Sequence, residues 1–197
     1  MTHILAHHLT QNIKLMKKKL LILAVLFVSI ISVNAQSKSS SSDGFVFGGG
    51  INLGLPLGDF GDGWSFGIGV KLQAEKMFTD QVSGIASIGY TDFFGKSTTV
   101  YDGSGNAISA KYPSFGLIPI LVGGRYYFAP TFFAGVQIGL GIGTGGSGSS
   151  TGFDYLPQIG YNADAYQVVL GYNGVSQTGA TFNHLDLSFV YKFGGGK

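Results

Sequence analysis

The run Trp64-Ser65-Phe66-Gly67-Ile68-Gly69-Val70-Lys71-Leu72-Gln73 alternates two kinds of side chain without a break. Trp64, Phe66, Ile68, Val70 and Leu72 share one face, and Ser65, Gly67, Gly69, Lys71 and Gln73 share the other. Successive side chains of an extended chain point to opposite sides, so a period of two marks a β-strand. The two faces must also meet different surroundings, one apolar and one confined or polar. The same pattern returns at 132–144, where Phe132, Ala134, Val136, Ile138, Leu140 and Ile142 oppose Phe133, Gly135, Gln137, Gly139, Gly141 and Gly143. Near the C-terminus Leu185, Leu187, Phe189, Tyr191 and Phe193 oppose His184, Asp186, Ser188, Val190 and Lys192.

Working outward from these stretches, turn signals divide the chain into eight strand-like segments: 45–57, 64–78, 82–94, 112–128, 132–144, 151–161, 165–173 and 182–193. The fourth departs from strict alternation. Its 117–122 part is apolar on both faces and contains Pro119, which predicts either a bulge or a filled stretch of interior. The connections alternate in length. Short ones fall near residues 79–81, 129–131 and 162–164, and longer ones at 58–63, 95–111, 145–150 and 174–181. Three short turns and four longer loops are what an eight-stranded up-and-down membrane barrel needs when both of its ends lie on the inner side. Each segment is long enough for the 9 to 11 residues that cross hydrocarbon at a tilt.

Composition supports a lipid-facing fold. The chain has 33 Gly, 14% aromatic residues and only 11% charged residues, against about 25% charged in an ordinary soluble domain. Lys17, Lys18 and Lys19 precede an apolar run at 20–33, which ends in Val33-Asn34-Ala35. This is the form of a cleavable secretory signal, and the run is too short to span a bilayer as a helix. Residues 1–35 are therefore expected to be a signal peptide, with Met16 an alternative start. A Ser-rich lead-in follows at 36–44, then the barrel at 45–193 and a tail at 194–197. Removing the leader leaves 8 basic and 10 acidic residues, so the basic balance belongs to the leader and nucleic-acid binding has no support. The leader also takes His3, His7 and His8 with it. Without cysteine the chain has no disulfide, no thiolate metal site and no lipoprotein anchor.

The aromatics cluster at segment ends. Phe45, Phe47, Phe78, Tyr126, Tyr127, Phe128, Phe132, Phe133, Tyr161, Tyr166, Tyr191 and Phe193 fall at the turn end. Phe60, Trp64, Tyr90, Phe93, Phe94, Tyr112, Phe115, Phe153, Tyr155 and Tyr172 fall toward the loop end. Two such belts are expected at the two interfaces of a bilayer. Only a closed barrel or a helix satisfies every backbone group in hydrocarbon, so the expected fold is all-β: a closed up-and-down antiparallel transmembrane barrel of about eight strands. An interior of that size is filled by side chains. Lys71, Glu75, Arg125, Asp186 and Lys192 are the candidate charge cluster of the lumen, because an unpaired charge in so tight a space is costly. The cluster would plug the bore.

Two other constellations carry less. His184, Asp186 and Ser188 share a face, but neighbours two apart on a strand sit roughly 7 Å apart, so they are read as lumen residues. Asp102-Gly-Ser-Gly-Asn106 alternates oxygen ligands as calcium loops do, but no acidic residue follows at the right spacing, and it reads as a Gly-containing turn. No catalytic, cofactor-binding or metal-binding residue is assigned.

The last segment, His184-Leu-Asp-Leu-Ser-Phe-Val-Tyr-Lys-Phe193, together with Gly123-Gly-Arg-Tyr-Tyr-Phe128 and the short turns, resembles the OmpX/OmpA-like family of small outer-membrane β-barrels. The resemblance implies a place in the outer membrane of a Gram-negative cell, in contact with its lipid. It also implies insertion by the barrel-assembly machinery, with Leu187, Phe189, Tyr191 and Phe193 as the recognition strand. The expected role is that of a non-enzymatic, monomeric envelope or surface protein whose loops, chiefly 95–111, could meet an extracellular ligand. A narrow channel or carrier for small solutes is the alternative.

Overall fold

The computed structural model describes residues 44–101, 107–145, 148–177 and 179–193. The expected signal peptide, the lead-in before Gly44, the turn at 102–106 and the tail at 194–197 lie outside them. The elements are β1 (Val46–Leu57), α1 (Asp59–Gly63), β2 (Trp64–Met77), β3 (Val82–Gly95), β4 (Ser97–Tyr101), β5 (Ala107–Lys111), β6 (Phe115–Ala129), β7 (Phe132–Gly145), β8 (Gly148–Asn162), β9 (Tyr166–Gln177) and β10 (Ala180–Phe193). Eight of the strands close in the order β1-β10-β9-β8-β7-β6-β3-β2. Every pairing is antiparallel, and β10 pairs with β1 from Phe47↔Phe193 to Leu57↔Asn183 to seal the cylinder. Closure leaves no barrel edge to recruit another chain.

The alternation reads out as in and out. Ile51, Leu53, Leu55, Ile68, Val70, Val136, Ile138, Leu140, Leu185 and Leu187 lie exposed on the outer wall, whereas Asn52, Lys71, Gln73, Gln137, Asp186 and Ser188 are buried in the bore. Exposed apolar surface on this scale, running round the whole wall, is a lipid-facing band and not a soluble surface. Among the described residues no helix is long and apolar enough to cross a membrane, so the strands do the crossing.

Glycine on the inner face lets strands approach where a side chain would collide. A Cβ at Gly50 would run into the carbonyl of Phe189, and one at Gly139 into that of Ile120. Across 117–122 the β6–β7 register runs unbroken, so this stretch is filled interior and not a bulge. Leu117 and Leu121 are buried, with Pro119 on the same face.

Two expected loops differ. β7 runs to Gly145 and β8 starts at Gly148, while β9 runs to Gln177 and β10 starts at Ala180, with Gly179 in a left-handed conformation at the second turn. The alternation of apolar residues ends where the lipid band ends, but the hydrogen-bonded ladder needs only backbone and continues beyond it. The 95–111 segment contains a separate two-stranded sheet, β4 with β5.

Candidate functional site

The site is the lumen, and each of its side chains is aimed there by strand parity. Near the turn end, Glu75 on β2 is the hub. Its Oε2 accepts from Arg125 Nη1 at 2.8 Å and from Gln167 Nε2 at 3.0 Å, and its Oε1 accepts from Ser83 Oγ at 2.6 Å and Tyr127 OH at 2.7 Å. Arg125, on β6, also donates to Gln167 Oε1 at 3.0 Å and lies over the Phe133 ring at 4.3 Å from its centroid. With the Arg125 side chain 1% and the Glu75 side chain 5% exposed, this is an ion pair removed from solvent. Such a pair is tolerated when most of the remaining lone pairs and protons are satisfied, and here Arg125 Nε is left without a partner.

Nearer the middle of the bore, Lys71 Nζ donates to Asp186 Oδ1 at 3.1 Å and to Ser188 Oγ at 2.9 Å. Asn52 Nδ2 donates to Asp186 Oδ2 at 2.9 Å and to Thr91 Oγ1 at 2.8 Å. Asn173 Nδ2 donates to Asp154 Oδ1 at 2.7 Å across β9 and β8. The five charged residues singled out in the sequence thus form two separate pairs, Glu75 with Arg125 and Lys71 with Asp186, and a fifth member that stands apart. Lys192 donates to Asn162 Oδ1 at 2.9 Å, and Asn162 Oδ1 accepts from Gln167 Nε2 at 3.0 Å. Lys192 therefore joins the Glu75 network through two amides and touches no carboxylate among the salt bridges of the described residues.

At the loop end the bore is closed by rings. α1 crosses the mouth and places Phe60 at 5.0 Å from Phe93, 5.6 Å from Phe115, 5.4 Å from Phe182 and 5.2 Å from Trp64, centroid to centroid. Phe60, Phe93, Phe115, Leu117 and Val175 form one buried cluster. These positions correct the outer aromatic belt: Phe60, Trp64, Phe93 and Phe115 line the plug and do not face lipid. Trp64 leaves the greasy row because the β2–β3 register shifts between Trp64 and Gly67. At the turn end Tyr127 and Phe133 are likewise buried inside with Val169, while Phe45, Phe78, Tyr126, Phe128, Phe132 and Tyr191 remain exposed on the wall. Parity held the signal for Phe93 and Tyr127, since Phe93 shares a face with Thr91, and Tyr127 with Arg125. It likewise places Asn52 with Gly48 and Gly54.

Between the plug and the network, a void of about 10 Å³ lies against Lys71, Leu117, Leu121, Leu156, His184 and Asp186, which is about the space of one water. Ser188 Oγ does reach Asp186 Oδ1, closer than strand spacing alone predicts, because both side chains lean along the strand. His184 Nδ1 has no partner and the ring packs edge-on against Phe93 at 5.0 Å, so the imidazole makes no hydrogen bond to the hydroxyl. Among the described residues no cluster of His, Cys, Asp and Glu could hold a metal ion.

No family model matches the sequence, and no curated protein does. Solved structures share its fold. Ail, the attachment invasion locus protein of Yersinia pestis, determined in complex with the heparin analogue sucrose octasulfate, superposes with a TM-score of 0.52 at 15% identity, over 76% of this chain and 97% of Ail. Neisserial surface protein A superposes with a TM-score of 0.50 at 14% identity, over 80% of this chain and all of its own. The fold is that of the small eight-stranded outer-membrane β-barrels. With the apolar band round its wall, a barrel of this fold is built to sit in lipid. Its strands supply the span, and its interior supplies the only described environment in which the charges of the bore can be paired.

Proposed function

We propose that the chain is a closed, non-conducting and non-enzymatic barrel of the outer membrane, acting at the cell surface through its loop end. The carrying observation is the interior: two separate ion pairs, each held by amides and hydroxyls, lidded by the Phe60 cluster. The void between plug and network, about 10 Å³, has room for about one water and none for a solute. The test is a planar-bilayer recording of the purified barrel. Leak-level current is expected, and a robust open conductance whose selectivity changes on replacing Arg125 or Lys192 would establish the narrow channel instead.

The strand β10 supports a further part of this reading, assembly by the machinery that inserts barrels. Leu187, Phe189 and Tyr191 project from the wall on the strand that seals the cylinder against β1. A monomer is the proposed state, because closure leaves no unpaired strand in the barrel.

For the partner, the polysulfate bound to Ail is a useful contrast. At the loop end this chain offers Lys96 and Lys111 against Asp59 and Asp62, and Lys96 Nζ already donates to the carbonyl of Gly61. The proposed surface is the hydroxyl-rich β4–β5 hairpin, which suits an uncharged partner. Binding to immobilised heparin at physiological salt is expected to be absent, and retention there would overturn this choice.

A further inference from the structure

Near the turn end, the outer wall is not smooth. Ala74 and Ala86 bring small side chains together on the outward faces of β2 and β3, where they pair, and Gly84, paired with Lys76, lies under the Phe78 ring beside them. They leave a groove of about 490 Å³ whose far wall is Val122 and Ile138. Val122 pairs with both Ala86 and Ile138, so the floor crosses four neighbouring strands. Phe45 and Phe78 stand at its turn-end rim, at the level where exposed aromatics end the apolar band. Lys76 is there too, its Nζ at 5.7 Å from the Phe45 ring centroid.

Lys76 and Asp92 are the charged residues that the barrel strands present outward among the described residues, and Asp92 lies toward the loop end. No salt bridge among the described residues engages Lys76. A cation on a lipid-facing wall is tolerated at the interface, where it can reach lipid phosphates, and costly deeper in the band.

We infer that this groove holds one phospholipid of the inner leaflet, with an acyl chain lying along Ala74, Ala86 and Val122 and an anionic headgroup on Lys76. Charge and shape agree on the occupant. The cation marks the headgroup end at the depth of the phosphates, and the groove leads from it toward the middle of the bilayer, as an acyl chain does. A zwitterionic headgroup offers Lys76 a phosphate but no net charge. An anionic lipid is therefore preferred by roughly fivefold, the effect of one lysine near an anionic surface.

Native mass spectrometry of the purified barrel, offered phosphatidylglycerol and phosphatidylcholine in equal amounts, tests this. The expected result is one retained lipid with a preference of about fivefold for phosphatidylglycerol. Lys76→Gln should abolish the preference while a lipid is still retained. Ala86→Leu, which fills the groove, should reduce retention of both, and Ala74→Leu serves as a second filled variant should the first fail to fold on a heat-modifiability gel. Equal retention by the wild type and both filled variants would overturn the site, as would a preference that survives Lys76→Gln. A dimer abolished by the filled variants would assign the groove to a second copy of the chain instead.

Discussion

Replacing Glu75 by Leu removes the acceptor on which Arg125, Ser83, Tyr127 and Gln167 converge. Taken singly, hydrogen bonds to a charged group contribute about 1.5 to 3 kcal/mol each, and four of them would sum to more than the site can lose. Gln167 keeps Asn162 and Gln73 as partners, and the Tyr127 and Ser83 hydroxyls can turn. The dominant cost is the Arg125 guanidinium, left charged and unpaired with its side chain 1% exposed. Breaking a buried pair from one side costs about 3 to 5 kcal/mol, and that range is the expected loss for Glu75→Leu. Removing both partners, as Glu75→Leu with Arg125→Met, leaves no orphan charge and should restore at least half of the loss, since apolar replacement of a buried pair is often neutral or better. The assay is urea unfolding of the barrel refolded into phospholipid vesicles, followed by heat-modifiability and by the fluorescence of Trp64, the single tryptophan. A loss below about 1 kcal/mol for Glu75→Leu would refute the reasoning, since no buried charge would then have been stranded. A double variant as unstable as the sum of the two single variants would refute it as well, because uncoupled sites add.

Phe60→Ala empties the centre of the ring cluster and should cost about 3 to 5 kcal/mol. It should also shift Trp64 emission to the red, yet leave conductance at leak level because Leu117 and Leu121 still fill the bore below; an open pore in this variant would make α1 a gate. Leu170→Arg puts a cation in the middle of the lipid band and should destabilise by about 2 to 4 kcal/mol, measured in the same vesicle assay; a neutral effect would place this face away from hydrocarbon. Gly50→Ala should prevent β1 from seating against β10, since its methyl meets the Phe189 carbonyl, and the heat-modified band should fall sharply; normal folding would contradict the close approach of these strands.

Strand identity and face were legible in the sequence because both follow from local covalent geometry. Once 64–73 is extended, Lys71 must oppose Val70, and the apolar row must face whatever is apolar. The filled bore was legible for a related reason: a wall of about eight strands has no room for more than its inward side chains. Closure could be inferred because in lipid no other β arrangement satisfies the backbone.

Only the tertiary structure decided which inward residues meet. Pairing in the bore depends on the register between strands far apart in the chain, such as β2 with β10 across β1, and on the reach of each side chain, neither of which periodicity encodes. That is why Lys71 meets Asp186, Arg125 meets Glu75, and Lys192 ends on an amide. The plug was hidden for a different reason. Phe60 lies in a connection with no period to read, and the bulge that turns Trp64 inward is a property of two strands together. Sequence fixes the direction of a side chain relative to its neighbours along one strand, whereas its partner across the barrel is set by how eight strands close.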